Sequence, residues 1–152
     1  MMARLRYQGW KLRAVALLVF ARHRAALEVF EDMLLEFPGD AYALASKAHL
    51  QAQLGNRRGA LDTFERLLKV DPENARHWFN YGFLLEELDE YERAEAALRR
   101  ATELSPTLDR AWYGLGLVLI RLQRFDEALA ALKKFDFPAA QGSFDAAFST
   151  KA

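Results

Sequence analysis

The sequence predicts an all-α protein, a stack of about four helical hairpins. Three observations carry that prediction: a fixed 34-residue period, three- and four-residue spacing of apolar residues inside each period, and helix breakers at matching places. The period comes first. Pro38, Pro72 and Pro106 stand 34 residues apart, and so do Ala26, Ala60, Ala94 and Ala128. Four residues after those alanines come Phe30, Phe64, Leu98 and Leu132. Near the start of each unit stand Trp10, Leu44, Trp78 and Trp112, with Ala14, Ala48, Gly82 and Gly116 four places on. The units run over 7–40, 41–74, 75–108 and 109–136, which makes residues 1–136 a single domain. Residues 137–152 are left as a C-terminal tail or capping segment.

The spacing within a unit is helical. In the third unit Trp78, Tyr81, Gly82, Leu85 and Leu88 form one apolar stripe, the pattern of a helix with one buried face. Asp89 and Glu92 stand three apart and read as a capping box opening a second helix, with Tyr91, Ala94, Leu98 and Ala101 on its buried side. Pro106 ends that helix, because the residue before a proline disfavours the helical conformation. In the second unit Gly55 closes the first helix and Asn56 caps the next. The first unit has "ARHR" at 21–24 where a glycine-containing turn is expected, and His23 falls there.

The small residues have a steric role. Alanine or glycine on the first helix, facing alanine on the second, lets two backbones approach closely, and the larger Trp, Leu and Phe fill the space between successive hairpins. A hairpin of this kind buries its apolar face only by stacking on the next.

Composition narrows function by exclusion. Lys plus Arg number 21 and Asp plus Glu 21, so no overall field recruits nucleic acid. Zero cysteine removes thiolate metal sites and cysteine nucleophiles. The apolar run at 14–21 is too short to span a bilayer, a membrane partner is not expected, and the cytoplasm is the expected compartment. Three histidines never meet each other at ligand spacing, and the glycines never form a phosphate loop. No catalytic residue, metal or cofactor is assigned. His77 reads as solvent-facing, and the acidic run at 86–95 reads as a solvated helix end. The basic N-terminal segment, with six cations before the first acid at Glu28, reads as the first helix of the stack, its apolar stripe on the second helix and its arginines in water.

The set Trp112, Leu115, Gly116, Phe125 and Ala128 resembles the tetratricopeptide-repeat signature, and Trp78, Tyr81, Gly82, Tyr91, Ala94 and Pro106 resemble it nearly as well. The resemblance implies a right-handed α-solenoid whose first helices line a concave groove that holds a protein partner as an extended peptide or helix. Carried onto this chain, the groove places are Lys11, Val15 and Leu18, then Tyr42, Ala45, His49, Ala52 and Gln53. The third unit contributes Arg76, Phe79, Asn80, Phe83 and Glu86, and the fourth Arg110, Tyr113, Leu117, Ile120 and Arg121. The residues expected to contact a partner are His49, Arg76, Phe79, Asn80, Phe83, Arg110, Tyr113 and Leu117. Family members that grip a C-terminal carboxylate need cations where this chain has Ala45 and Gly114, so a mixed apolar and polar peptide is the better expectation. A non-enzymatic interaction module is the expected role. Self-association through the ends of the stack stands as the alternative, and an enzyme with a groove site comes last.

Overall fold

A computed structural model describes residues 1–135. Among them run eight helices and no strand: α1 (Met2–Val19), α2 (His23–Glu36), α3 (Ala41–Gln53), α4 (Arg57–Val70), α5 (Ala75–Glu87), α6 (Tyr91–Leu104), α7 (Asp109–Arg121) and α8 (Phe125–Lys133). Each helix packs on its chain neighbours, and α5 also reaches α7, so the molecule is a helical solenoid in which order in sequence is order in space. The tail or cap expected at 137–152 lies outside the described residues.

Turn chemistry repeats with the period. Ala21, Gly55, Asp89 and Gln123, one per hairpin turn, all adopt positive φ, between 53° and 86°. The residue after each donates its backbone N–H to a carbonyl five back: Arg22 to Leu17, Asn56 to Gln51, Glu90 to Leu85 and Arg124 to Leu119, at 2.8 to 2.9 Å. That left-handed residue followed by a six-to-one bond closes the first helix of every hairpin. It also corrects the expected capping box. Asp89 is the left-handed residue itself, its carboxylate accepts the Tyr91 hydroxyl at 2.6 Å, and α6 starts after Glu90 with no side-chain cap. Asn56 does cap α4, accepting the Gly59 N–H at 2.9 Å, and Asp40 caps α3 through the Ala43 N–H at 2.8 Å. Ser105, the residue before Pro106, ends α6 as expected.

The core forms along the small-residue seam. Ala14, Ala26, Ala48, Ala60 and Ala94 are fully buried. A Cβ on Gly82 would come within 2.8 Å of Leu98 Cγ, and one on Gly116 within 2.5 Å of Leu132 Cγ, so glycine at these places is set by helix-to-helix distance. Larger side chains, among them Phe30, Leu44, Leu67, Leu85 and Leu115, fill the interior. Trp78 and Trp112 lean back on the preceding turn, their indole N–H groups donating to the carbonyls of Pro72 and Pro106 at 2.7 and 2.8 Å. Thr63 donates to Gln51 Oε1 at 2.6 Å, satisfying a buried polar pair between α3 and α4.

Ion pairs tie hairpins together on the second-helix side. Arg93 meets Glu65, Arg99 meets Glu127 and Arg124 meets Glu95, at 2.6 to 2.7 Å. Arg93 also donates to the Tyr81 hydroxyl, which in turn donates to Glu65. Burial, and then the bond with Glu65, push that hydroxyl above the ordinary tyrosine range. Such exposed pairs contribute about 0–1 kcal/mol each and chiefly fix register.

Two sequence expectations change. His77 is not solvent-facing: its side chain is largely covered and its Nε2 lies 3.2 Å from Asp71 Oδ2. The basic first helix is only half described by an inward stripe. Tyr7, Trp10, Leu17 and Leu18 pack on the core, but Leu5, Leu12, Val19 and Phe20 point away from it and are exposed.

Gly116→Leu and Ala94→Leu should each lower stability by roughly 1–3 kcal/mol or more, since the opposing helix has no room to give; denaturant titration of the two variants reads this directly. Gln123→Gly should raise stability by about 1 kcal/mol, because it relieves a left-handed backbone without touching the core; a lowered melting temperature would contradict that geometry.

Candidate partner-binding face

The sequence-predicted site residues lie on three first helices. His49 is on α3; Arg76, Phe79, Asn80 and Phe83 are on α5; Arg110, Tyr113 and Leu117 are on α7. Spacing of three and four places each set on one helix face, and the 34-residue register sets those faces side by side. Val15, Tyr42, His49, Arg76, Asn80, Phe83, Arg110 and Tyr113 are exposed. Leu117 is half-buried.

The aromatics divide into three cases. Phe83 is 52% exposed and contacts Phe79 with ring centroids 6.4 Å apart. Phe79 is half-buried, packs on the core and lies over Gly114, where its Cε2 would meet an added Cβ at 3.9 Å. It therefore links α5 to α7 as well as facing outward, whereas the sequence gives it only as an expected partner contact. Tyr113 remains 42% exposed although the Phe135 ring lies tilted against it, centroids 5.2 Å apart. On the first two units, Lys11 Nζ sits 4.5 Å from the centre of the Tyr42 ring, and Tyr42 meets Phe30 edge-on. The missed signal was Gly114 itself: a glycine between Tyr113 and Leu115, off the packing seam, is the vacancy Phe79 and Leu98 use.

Polar groups on this face are uncommitted. Among the described residues the side chains of His49, Arg76, Asn80 and Arg110 make no hydrogen bond or ion pair. Fixed donors beside exposed rings recognise carboxylate, amide or backbone oxygen while apolar groups cover the rings. Among the described residues no group of three His, Cys, Asp or Glu side chains could hold a metal ion. His23, in the first turn, has a buried Nδ1 without a partner beside an open hollow of about 360 Å³ lined by residues 21–25 and Leu54. That hollow opens at the α1–α2 turn, off the shared first-helix face.

Stacked helical hairpins presenting one continuous face of first-helix side chains define a helical-repeat scaffold. The family follows from comparison. Tetratricopeptide-repeat models match residues 45–109 and 85–148, and the chain belongs to that family. Its members are in general non-enzymatic modules that bind protein or peptide partners. Similar solved structures include a crystal structure of MamA protein, at 21% identity and a TM-score of 0.81, covering 85% of this chain and 70% of that one. MamA 41-end from Desulfovibrio magneticus RS-1 aligns at 20% identity and a TM-score of 0.77, covering 85% and 73%. YrrB, described as a TPR protein with an unusual peptide-binding site, aligns at 26% identity and a TM-score of 0.73, covering 81% and 65%. At 20–21% identity the MamA likeness is one of fold. No curated protein is matched by the chain. No helix of the described residues is long and apolar enough to cross a membrane.

Phe83→Ala should change the melting temperature little, whereas Phe79→Ala should cost roughly 1–2 kcal/mol, the loss of a half-buried ring. Equal losses would put both rings in the core and remove Phe83 from the exposed face.

Proposed function

We propose that this chain is a non-enzymatic scaffold that binds a partner peptide or helix along the first-helix face of the units 41–74, 75–108 and 109–136. The observation that carries the reading is the pairing of exposed rings, Phe83 and Tyr113, with donors that have no partner among the described residues, Arg76, Asn80 and Arg110. A solenoid gains little by leaving such groups unpaired on one face, and interfaces concentrate their binding energy in aromatic and arginine side chains of this kind. A partner segment with apolar residues and oxygen acceptors fits the face. The rigid stack holds the side chains in place beforehand, so most of the ordering entropy falls on the partner. That YrrB is described as having a peptide-binding site supports the reading. Ala45 and Gly114 leave two places without the positive charge that a terminal-carboxylate clamp needs.

The test compares partners captured from a lysate of the source organism by the wild-type chain and by a Phe83→Ala, Tyr113→Ala, Arg110→Glu variant, with folding checked by circular dichroism. Phe79 is left intact because it also packs. A partner held by wild type and lost from the variant is the expected result. Identical capture by both would remove the face from the function.

A further inference from the structure

We propose that the outer face of α1 is a second docking surface, which takes an amphipathic helix of a partner protein whose apolar stripe carries a carboxylate facing Arg13. Met2, Leu5, Gly9, Leu12, Ala16 and Val19 recur at alternating three- and four-residue steps, the seam a helix offers to another helix. All six are exposed, Leu12 and Val19 each at 74%. A helix face turned to solvent is ordinarily polar; this one is not.

Register shows what kind of object covers the face. One and two periods after Ala16 stand Leu50 and Leu84, and three after it Val118, all buried. One and three periods after Gly9 stand Ala43 and Ala111, also buried. These residues belong to α3, α5 and α7, each of which packs on the second helix of the preceding hairpin. The Gly9, Arg13 and Ala16 side of α1 is therefore the one that a helix covers in later units, with Leu12 and Val19 flanking it in the register of Asn80 and Glu87, which are exposed. Gly9 supports close approach: an added Cβ there would meet nothing within 4 Å, so no contact among the described residues accounts for a glycine that costs α1 about 1 kcal/mol relative to alanine.

Charge identifies the partner. In the place of Arg13, the next two units have Lys47, 3.6 Å from Glu31 of the preceding second helix, and Tyr81, which donates to Glu65 of the preceding second helix at 3.1 Å. Arg13 has no partner among the described residues, and by this register it meets an acid on whatever helix lies over it. The segment before Glu28 holds Arg4, Arg6, Lys11, Arg13, Arg22 and Arg24 and no acid, so an acidic helix is favoured throughout. A second copy is not. Two periods after Glu65 stands Lys133 on α8, so head-to-tail stacking would set Lys133 against Arg13, and two α1 helices would oppose cation to cation. A bilayer would welcome leucines and arginines, but it gives no reason for small residues in register.

The test uses the full chain and a helix-stabilised synthetic peptide with the sequence of residues 22–37, an acidic amphipathic helix whose Glu31 already plays the required role toward Lys47. Wild type should bind the peptide, and Arg13→Glu and Gly9→Leu should each weaken binding by about tenfold or more without lowering the melting temperature. A peptide carrying Glu31→Lys should bind the Arg13→Glu protein better than wild type. Phe83→Ala should bind like wild type, which separates this surface from the first-helix face. The proposal is overturned if the peptide does not bind, or if binding ignores both α1 substitutions. It is also overturned if α1 binds phosphatidylserine vesicles in place of the peptide, or if sedimentation shows self-association abolished by Arg13→Glu.

Discussion

Everything in this solenoid depends on how closely two helices of a hairpin approach. The distance is set at one seam, where Gly82 and Gly116 on the first helices lie against Leu98 and Leu132 on the second, among the buried Ala14, Ala26, Ala48, Ala60, Ala94 and Ala128. Because Leu98 and Leu132 already fill the space over the two glycines, the seam admits no larger residue without moving a helix. Fixing that distance fixes the angle at which the hairpin meets its neighbour, since packed side chains are interdigitated and incompressible. The Trp78 and Trp112 bonds to the preceding prolines, and the arginine–glutamate pairs across hairpins, then hold each unit in register with the one before.

A repeat of this kind divides each first helix into faces with different obligations. One face meets its own second helix and must be small. Another meets the preceding hairpin and is apolar with one polar contact, as at Lys47 and Tyr81. The third lies off both of these contacts and is freer to vary, and there His49, Arg76, Asn80, Phe83, Arg110 and Tyr113 appear, Tyr113 against Phe135 of its own unit. Variation is cheap on that face because substitution there leaves the seam untouched. Phe79 marks the limit of this freedom: it leans into the space above Gly114 and so serves both the stack and the surface.

The fold was legible because its determinants are periodic and local. Prolines, alanines and apolar spacing state the helices, and their 34-residue return states the stack. What was not legible came from residues whose role depends on a neighbour. Asp89 and Glu92 have the spacing of a capping box, yet the backbone needs a left-handed residue at 89, and a turn that demands positive φ overrides a side-chain preference. The clue was available in register, since Gly55 occupies the same place. His77 looked solvent-facing because nothing local says that Asp71 folds back toward it. The candidate face was legible only as a set of positions; that its polar side chains lack partners among the described residues is a fact of three dimensions.

The uncovered outer face of α1 follows from the same division of faces. In the interior of the stack, the positions of Gly9, Arg13, Ala16 and Phe20 are filled against a preceding second helix, and burial of each leucine-sized group there contributes roughly 1.5–3 kcal/mol. On α1 that contribution is absent, while the exposed apolar surface remains. A helix face left to solvent can carry charge where α1 has Leu5, Leu12 and Val19, at no cost to its seam. Instead the apolar stripe persists with small residues at its centre, and the cations lie beside it on a segment without acids. In the interior of the stack, small or apolar residues at the positions of Gly9 and Ala16 accompany the approach of another helix, and α1 retains small residues at both.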